Sequence, residues 1–304
     1  MGADPVEEFE QHRLRLFGLA YRMLGSAEEA EDVVQDTFLR WHRARGSAIE
    51  SVPGWLAKVV TNLCLNRLTS ARARREQYVG TWLPEPVPTA DGALGPLDTV
   101  QRRDFVTLAF LVLLERLTPV ERAVFVLREA FAYSHREVAE VIGLSESNCR
   151  QLYHRARRRL SDAGGAGRVP RRVGGGRRPD LVERFLAAAE GGDVAGLERL
   201  LAEDVTVWVD GGGRVGAARR PIAGVARVTR YFEAVLARTS GQVQLTRTEV
   251  NGEPAAFASA GTDLIGVMVL EVVADRIARI LIVATPDKLA FAARLSHSAG
   301  LSGS

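Results

Sequence analysis

The chain is 304 residues long, which allows two or three domains. It is 46% apolar and 25% charged, which excludes wholesale disorder, and two cysteines, Cys64 and Cys149, cannot build a disulfide framework. The net charge of +3 is a sum of unlike parts: +1 over residues 1–75, −4 over 76–100, +3 over 101–162, +5 over 163–178 and −2 over 179–304.

No stretch of about 18 apolar residues occurs, so no membrane span is expected. Asp4, Glu7 and Glu8 stand where a signal peptide would be basic. The chain therefore reads as soluble and cytoplasmic. Of its 40 basic residues only Lys58 and Lys288 are lysine. Arginine suits bidentate phosphate contacts, and a bias toward GC-rich codons gives the same composition.

The first block, 1–75, reads as all helix. Leu14, Phe17, Ala20, Tyr21 and Leu24 recur at helical spacing and stop at Gly25. Ser26 and Glu29 form a capping-box pattern for a second helix with the apolar stripe Ala30, Val33, Val34, Phe38 and Trp41. Pro53 restarts a helix through Trp55, Leu56, Val59, Val60, Leu63 and Leu68. Residues 76–100, acidic and rich in proline, read as an extended linker with an exposed aromatic, Trp82.

The second block, 101–162, is again helical. Thr118-Pro119-Val120-Glu121 and Ser134-His135-Arg136-Glu137 are both capping boxes, and Ser145 caps a last helix after Gly143. Residues 163–178 hold six glycines and five arginines and form a flexible basic linker. The third block, 179–293, changes character. Helices near 180–190, 194–202 and 225–238 accompany period-2 runs at 205–210, 242–249, 255–260, 264–274 and 276–284. An α+β domain with a curved antiparallel sheet is expected, followed by a flexible tail, 294–304.

Two capped helices joined at Gly143 make a helix-turn-helix. Its inner face is Cys149, Tyr153, Ala156 and Leu160. Its outward face, Ser147, Asn148, Arg150, Gln151, His154 and Arg155, offers amide and guanidinium groups to base edges. Arg157, Arg158 and Arg159 follow where phosphate contacts belong. A basic-faced helical hairpin for protein contacts has the same pattern.

The first block narrows the choice. Residues 28–41 place a band of carboxylates beside an apolar stripe, Pro53-Gly54-Trp55-Leu56 follows, and then Val60-Thr61-Asn62-Leu63-Cys64-Leu65-Asn66-Arg67. This resembles the core-binding and −10 regions of bacterial extracytoplasmic-function (ECF) sigma factors, and residues 117–160 resemble their −35 domain. The resemblance implies two all-α sigma domains. It sets Asp32, Gln35, Asp36 and Leu39 against the polymerase core. It sets Trp55, Lys58, Thr61, Asn62, Asn66 and Arg67 near the −10 element, where aromatic and amide groups can hold unstacked bases. Ser147, Asn148, Arg150, Gln151, His154, Arg155 and Arg158 fall at the −35 element. The implied partners are RNA polymerase core and promoter DNA.

Residues 179–293 resemble a SnoaL-like domain of the NTF2-like cone fold. Trp208-Val209-Asp210-Gly211-Gly212-Gly213-Arg214, Tyr78-Val79-Gly80-Thr81-Trp82-Leu83-Pro84-Glu85-Pro86 and Thr285-Pro286-Asp287-Lys288-Leu289 resemble three motifs of sigma-J-type ECF factors (group 41). Arg214 replaces their usual Lys and Thr285 their usual Asn. A triple glycine lets backbone approach another segment closely. The expectation is that the loop docks near Trp82 and Pro84, with Asp210, Gly211, Gly212, Gly213 and Arg214 on one side and Pro286, Asp287 and Lys288 beside them. Such docking would fix the spacing of the DNA-binding domains, and the resemblance implies that the domain stands in for a separate anti-sigma factor.

SnoaL-like relatives include cyclases, but this block lacks a histidine before His297 and any metal-ligand spacing. Asp263 and Glu271 are candidate pocket acids, though single carboxylates on strands commonly face solvent. The expected protein is therefore not an enzyme, with no catalytic residue, metal or cofactor assigned and any small-molecule effector unidentified. Two alternatives stand beside it: a helix-turn-helix regulator, and a DNA-binding protein with a ligand-binding or cyclase-like C-terminal domain.

Overall fold

In the computed structural model the described residues are 5–44, 49–76, 78–89, 107–164, 179–213, 218, 220–239 and 242–298. They divide into two compact units, one of Met1–Glu76 with Phe110–Val169 and one of Gln77–Ala109 with Pro170–Ser304.

The first unit is helical: α1 (Pro5–Leu24), α2 (Ala27–Arg43), α3 (Val52–Glu76), α4 (Leu108–Leu114), α5 (Pro119–Glu129), α6 (His135–Ile142) and α7 (Glu146–Gly164). The unit boundary cuts α4 between Ala109 and Phe110. The ends follow local chemistry. Gly25 takes φ +68° and stops α1. Ser26 accepts the Glu29 N–H at 3.0 Å to open α2. Thr118 with Glu121 and Ser134 with Glu137 form complete capping boxes on α5 and α6, and Gly143 ends α6 in the left-handed conformation.

Phe9, Leu16, Leu19, Tyr21, Met23, Ala30, Val33, Val34, Leu56, Val60 and Cys64 form the α1–α3 core. α5 joins it through an unusual group. Arg122 is 2% exposed, donates its Nε to the Arg22 carbonyl at 2.8 Å and pairs with Glu115. Arg15 and Arg22 lie over the Phe131 ring, 5.5 and 5.6 Å from its centroid. Both helical blocks thus share one packed body.

The second unit adds α8 (Pro179–Glu190), α9 (Val194–Leu200), α10 (Val225–Thr239) and α11 (Pro286–Ser298) to a six-stranded sheet: β1 (Leu201–Asp210), β2 (Ile222–Ala223), β3 (Gln244–Val250), β4 (Glu253–Ala260), β5 (Asp263–Val273) and β6 (Arg276–Val283). The strand order is β2-β1-β6-β5-β4-β3. The expected all-antiparallel sheet is corrected: β1 runs parallel to β6, with Val207 opposite Ile280 and Asp210 opposite Val283. A period of two does not encode strand direction, and β6, folded back from β5, arrives beside β1 running the same way. The expected tail also needs correction, because α11 carries the chain as helix to Ser298.

Alternation gives the sheet two distinct faces. Val205, Val207, Val209, Ala256, Met268, Leu270 and Ile280 pack with Phe185, Leu197 and Phe232 of the helices. The opposite face carries buried Ala255, Phe257, Val267, Val269, Leu281 and Val283. Asp210 belongs to that second face. So do Glu253, Glu271 and Arg279.

Candidate linker site and nucleic-acid faces

Residues 78–89 are not a free extended linker but a strap held at both ends. Trp82 is half-buried rather than exposed. At one end lies Asp210, 0% exposed. Its Oδ1 accepts from Tyr78 O–H at 2.5 Å, Thr285 O–H at 2.8 Å and Gly212 N–H at 3.3 Å. Its Oδ2 accepts from Leu83 N–H at 2.8 Å and Lys288 Nζ at 2.5 Å. Lys288 also donates to the Leu83 carbonyl at 2.6 Å, with its ammonium 4.3 Å from the Trp82 ring centroid and 4.9 Å from that of Tyr78. Every acceptor direction of the buried carboxylate is thereby used, which is the condition for burying a charge without a large penalty. Burial, then the bond to Asp210, pushes the Tyr78 phenol up to about 12.

The glycines explain the close approach. Gly212 (φ +62°) and Gly213 (φ +76°) sit where a side chain is strained. A Cβ on Gly212 would stand 3.2 Å from Thr285 Cγ2, and one on Gly213 3.1 Å from Val79 Cβ. Gly211 and Pro84 are buried, whereas Pro286 and Asp287 are exposed at the start of α11. Arg214 lies outside the described residues.

The far end of the strap has no motif behind it. Thr89 N–H donates to the Glu249 carbonyl at 2.8 Å, Asn251 N–H to the Val87 carbonyl at 2.9 Å, and Val87 N–H to Asn251 Oδ1 at 3.1 Å. Asn251 takes φ +54° in the turn between β3 and β4. The Asn-Gly pair at 251–252, between two strand patterns, was the available signal for that turn.

On α7, Ser147, Asn148, Arg150, Gln151, His154, Arg155 and Arg158 are all exposed, while Cys149, Leu152 and Ala156 are buried. Arg155 and Arg159 approach Glu121 at 3.6 and 2.6 Å, so the buried cap of α5 also holds α7. Tyr153 is only half-buried and donates to Glu129 beneath Arg128 and Arg157. Burial and the cations Arg128 and Arg150 lower the His135 pKa.

On α2, Asp32, Gln35 and Leu39 are exposed and Asp36 is half-buried, at helical intervals on one face. On α3, Lys58, Asn62 and Asn66 are exposed, and Trp55 packs 5.8 Å from Trp41. Two −10 candidates stand differently. Thr61 is 0% exposed, so its hydroxyl offers nothing to a base. Arg67 bonds the Glu29 carbonyl at 3.1 Å and the carboxylates of Asp36 and Asp32 at 3.1 and 3.5 Å, clamping α3 to α2. Spacing places these residues on a helix but cannot tell which side of it a neighbouring helix covers.

The other titratable candidates are dispersed. Asp263 is exposed, and Glu271 pairs with Arg279 at 2.9 Å. Among the described residues no group of three or more His, Cys, Asp and Glu could hold a metal, and no helix is long and apolar enough to cross a membrane.

Residues 9–74 match Sigma-70 region 2, residues 107–160 match Sigma-70 region 4, and residues 182–280 match the SnoaL-like domain. The ECF RNA polymerase sigma factor SigJ of Mycobacterium tuberculosis is 38% identical, over 93% of this chain and 92% of the relative. The probable ECF sigma factor SigI of the same species is 34% identical, over 94% of this chain and 95% of the relative. The crystal structure of M. tuberculosis SigJ superposes with a TM-score of 0.74 at 34% identity, covering 93% of this chain and 98% of that one. These relatives are sigma factors rather than enzymes. Helical sigma regions, a SnoaL-like domain and full-length similarity together place this chain in the family of ECF RNA polymerase sigma factors.

Proposed function

We propose that the SnoaL-like domain of this sigma factor regulates initiation by holding the linker between the two DNA-binding regions. In this reading the chain acts in the cytoplasm on RNA polymerase core and promoter DNA. Asp32, Gln35, Asp36 and Leu39 meet the core. Trp55, Lys58, Asn62 and Asn66 meet the −10 element, and the exposed face of α7 meets the −35 element. Arg67 acts indirectly, by fixing the α2 carboxylates.

The observation that carries the proposal is the Asp210 cluster. Tyr78 follows the region 2 match by four residues, and Leu108 stands at the start of the region 4 match. Asp210 on β1 and Glu253 on β4 hold these points, three strands and four rungs apart on one sheet. At about 4.8 Å per strand and 3.4 Å per residue that is ~20 Å. Promoter elements centred ~25 base pairs apart lie ~85 Å apart along B-DNA. A clamped strap thus limits how far the two regions can spread, and an open one relaxes that limit.

Hydrogen exchange on the full-length protein tests the clamp. With Asp210→Ala, amides 78–89 should lose protection. Unchanged protection would sink the proposal. Co-purification with core polymerase and run-off transcription test the sigma assignments themselves: DNA binding without a sigma-dependent transcript would favour an ordinary helix-turn-helix regulator.

A further inference from the structure

The second attachment of the linker uses a different residue, one that no motif pointed to. Glu253, the first residue of β4, accepts the Leu108 N–H on Oε2 at 3.3 Å. Leu108 is fully buried and lies two residues before the boundary between the two compact units. The register sets Glu253 among charges. Val250 is its partner on β3, and two residues beyond the Ala255–Val269 pair it lies beside Glu271, whose own partner on β6 is Arg279. Arg279 binds Glu271 at 2.9 Å. Among the described residues, the cation acting on Glu253 is therefore already committed, and the anion acting on it is its strand neighbour Glu271. Glu249 on β3 is turned to the Thr89 hydroxyl instead, and Leu108 contributes only its backbone.

We propose that Glu253 is a proton-dependent clasp on the segment through which the chain passes from the C-terminal unit to region 4. A neutral carboxyl still accepts the Leu108 N–H, adds no charge beside Glu271, and holds the segment closed. An ionised carboxylate there is half-buried beside Glu271 and, among the described residues, has no counter-ion of its own. Releasing Leu108 exposes it further to water. Burial first and Glu271 second push the Glu253 carboxyl up to about 8, against a weaker opposing pull from the Leu108 N–H and Arg279. The closed form therefore binds the proton more tightly than the open form. The clasp is tightest where both forms are protonated, weakens as pH rises from the ordinary carboxyl range toward about 8, and is flat above that. This clasp is independent of the Asp210 cluster and does not require the strap to govern promoter spacing.

Hydrogen exchange of amides 107–112 in the full-length protein, corrected for the intrinsic pH dependence of exchange, reads the clasp directly. In the wild type, opening should increase by up to ~10-fold per pH unit between about 6 and 8 and then level off. Glu253→Gln, uncharged at every pH and nearly the same shape, should abolish that dependence. Glu271→Gln removes the facing anion and should move the levelling-off to lower pH. A wild-type profile with no pH dependence, a Glu253→Gln profile that tracks the wild type, or a Glu271→Gln profile that does not shift would each overturn the proposal.

Discussion

Two charged clusters in this molecule use the same chemistry to opposite ends. Asp210 and Lys288 meet at 2.5 Å with side chains 0% and 11% exposed. Arg67 meets Asp36 and Asp32 at 3.1 and 3.5 Å, with side chains 28%, 48% and 61% exposed. The buried pair is surrounded by matched partners from the strap, the Leu83 amide and carbonyl and the Tyr78 hydroxyl among them. The Arg67 cluster is only partly covered and keeps its carboxylates at the surface. Burial thus separates a charge that locks the protein to itself from charges that remain available to a partner.

That difference can be broken from either side. The largest effect should come from Asp210→Ala, which leaves the Lys288 ammonium buried without its counter-ion. Such a change costs about 3–5 kcal/mol. Opening of residues 83–89, read by hydrogen exchange, should rise accordingly, and a change below ~1 kcal/mol would show that the cluster does not hold the strap. Next comes the outward face of α7. Arg150→Ala or Gln151→Ala should each weaken −35 binding by ~1–3 kcal/mol where the side chain reads a base edge. A uniform weakening across sequences would assign both residues to phosphate.

Gly213→Ala comes third, with a cost of ~1 kcal/mol or more from the positive φ alone. The added methyl also meets Val79, so protection of residues 78–80 should fall while that of 87–89 holds. An equal fall at both ends would show that the strap opens as one piece. The smallest effect belongs to Arg67→Ala. An exposed pair contributes under ~1 kcal/mol, and that contribution should fade in high salt while the Asp210 cluster persists. A large, salt-independent drop in region 2 stability would reverse the comparison.

Local chemistry was readable from the residues alone, and tertiary partnership was not. The caps at Ser26, Thr118 and Ser134 and the stop at Gly143 follow from side chains within four positions of one another, so each could be read directly. The strands were recognisable by alternation, but alternation does not encode that β1 runs parallel to β6. Asp210, the glycines after it and Lys288 were identifiable as a group through motif resemblance. The four donors arriving from Tyr78, Leu83, Thr285 and Lys288 depend on approaches across as many as 132 positions. The surroundings of Thr61 and Arg67 were illegible for the same reason. Both sit at helical positions suited to DNA recognition, and the packing of α3 decides that one is covered and the other engaged. Glu253 carried no signal, because an isolated acid at the start of a strand is ordinary.

In the proposed function, the C-terminal domain controls the reach between the two DNA-binding regions by clamping residues 78–89. Run-off transcription with reconstituted holoenzyme, on promoters that differ only in the spacer between −10 and −35 elements, tests it most directly. A narrow spacer optimum is expected for the wild-type protein and a broadened or shifted one for Asp210→Ala. Identical spacer profiles for the two proteins, with the strap shown open in the variant by hydrogen exchange, would contradict it.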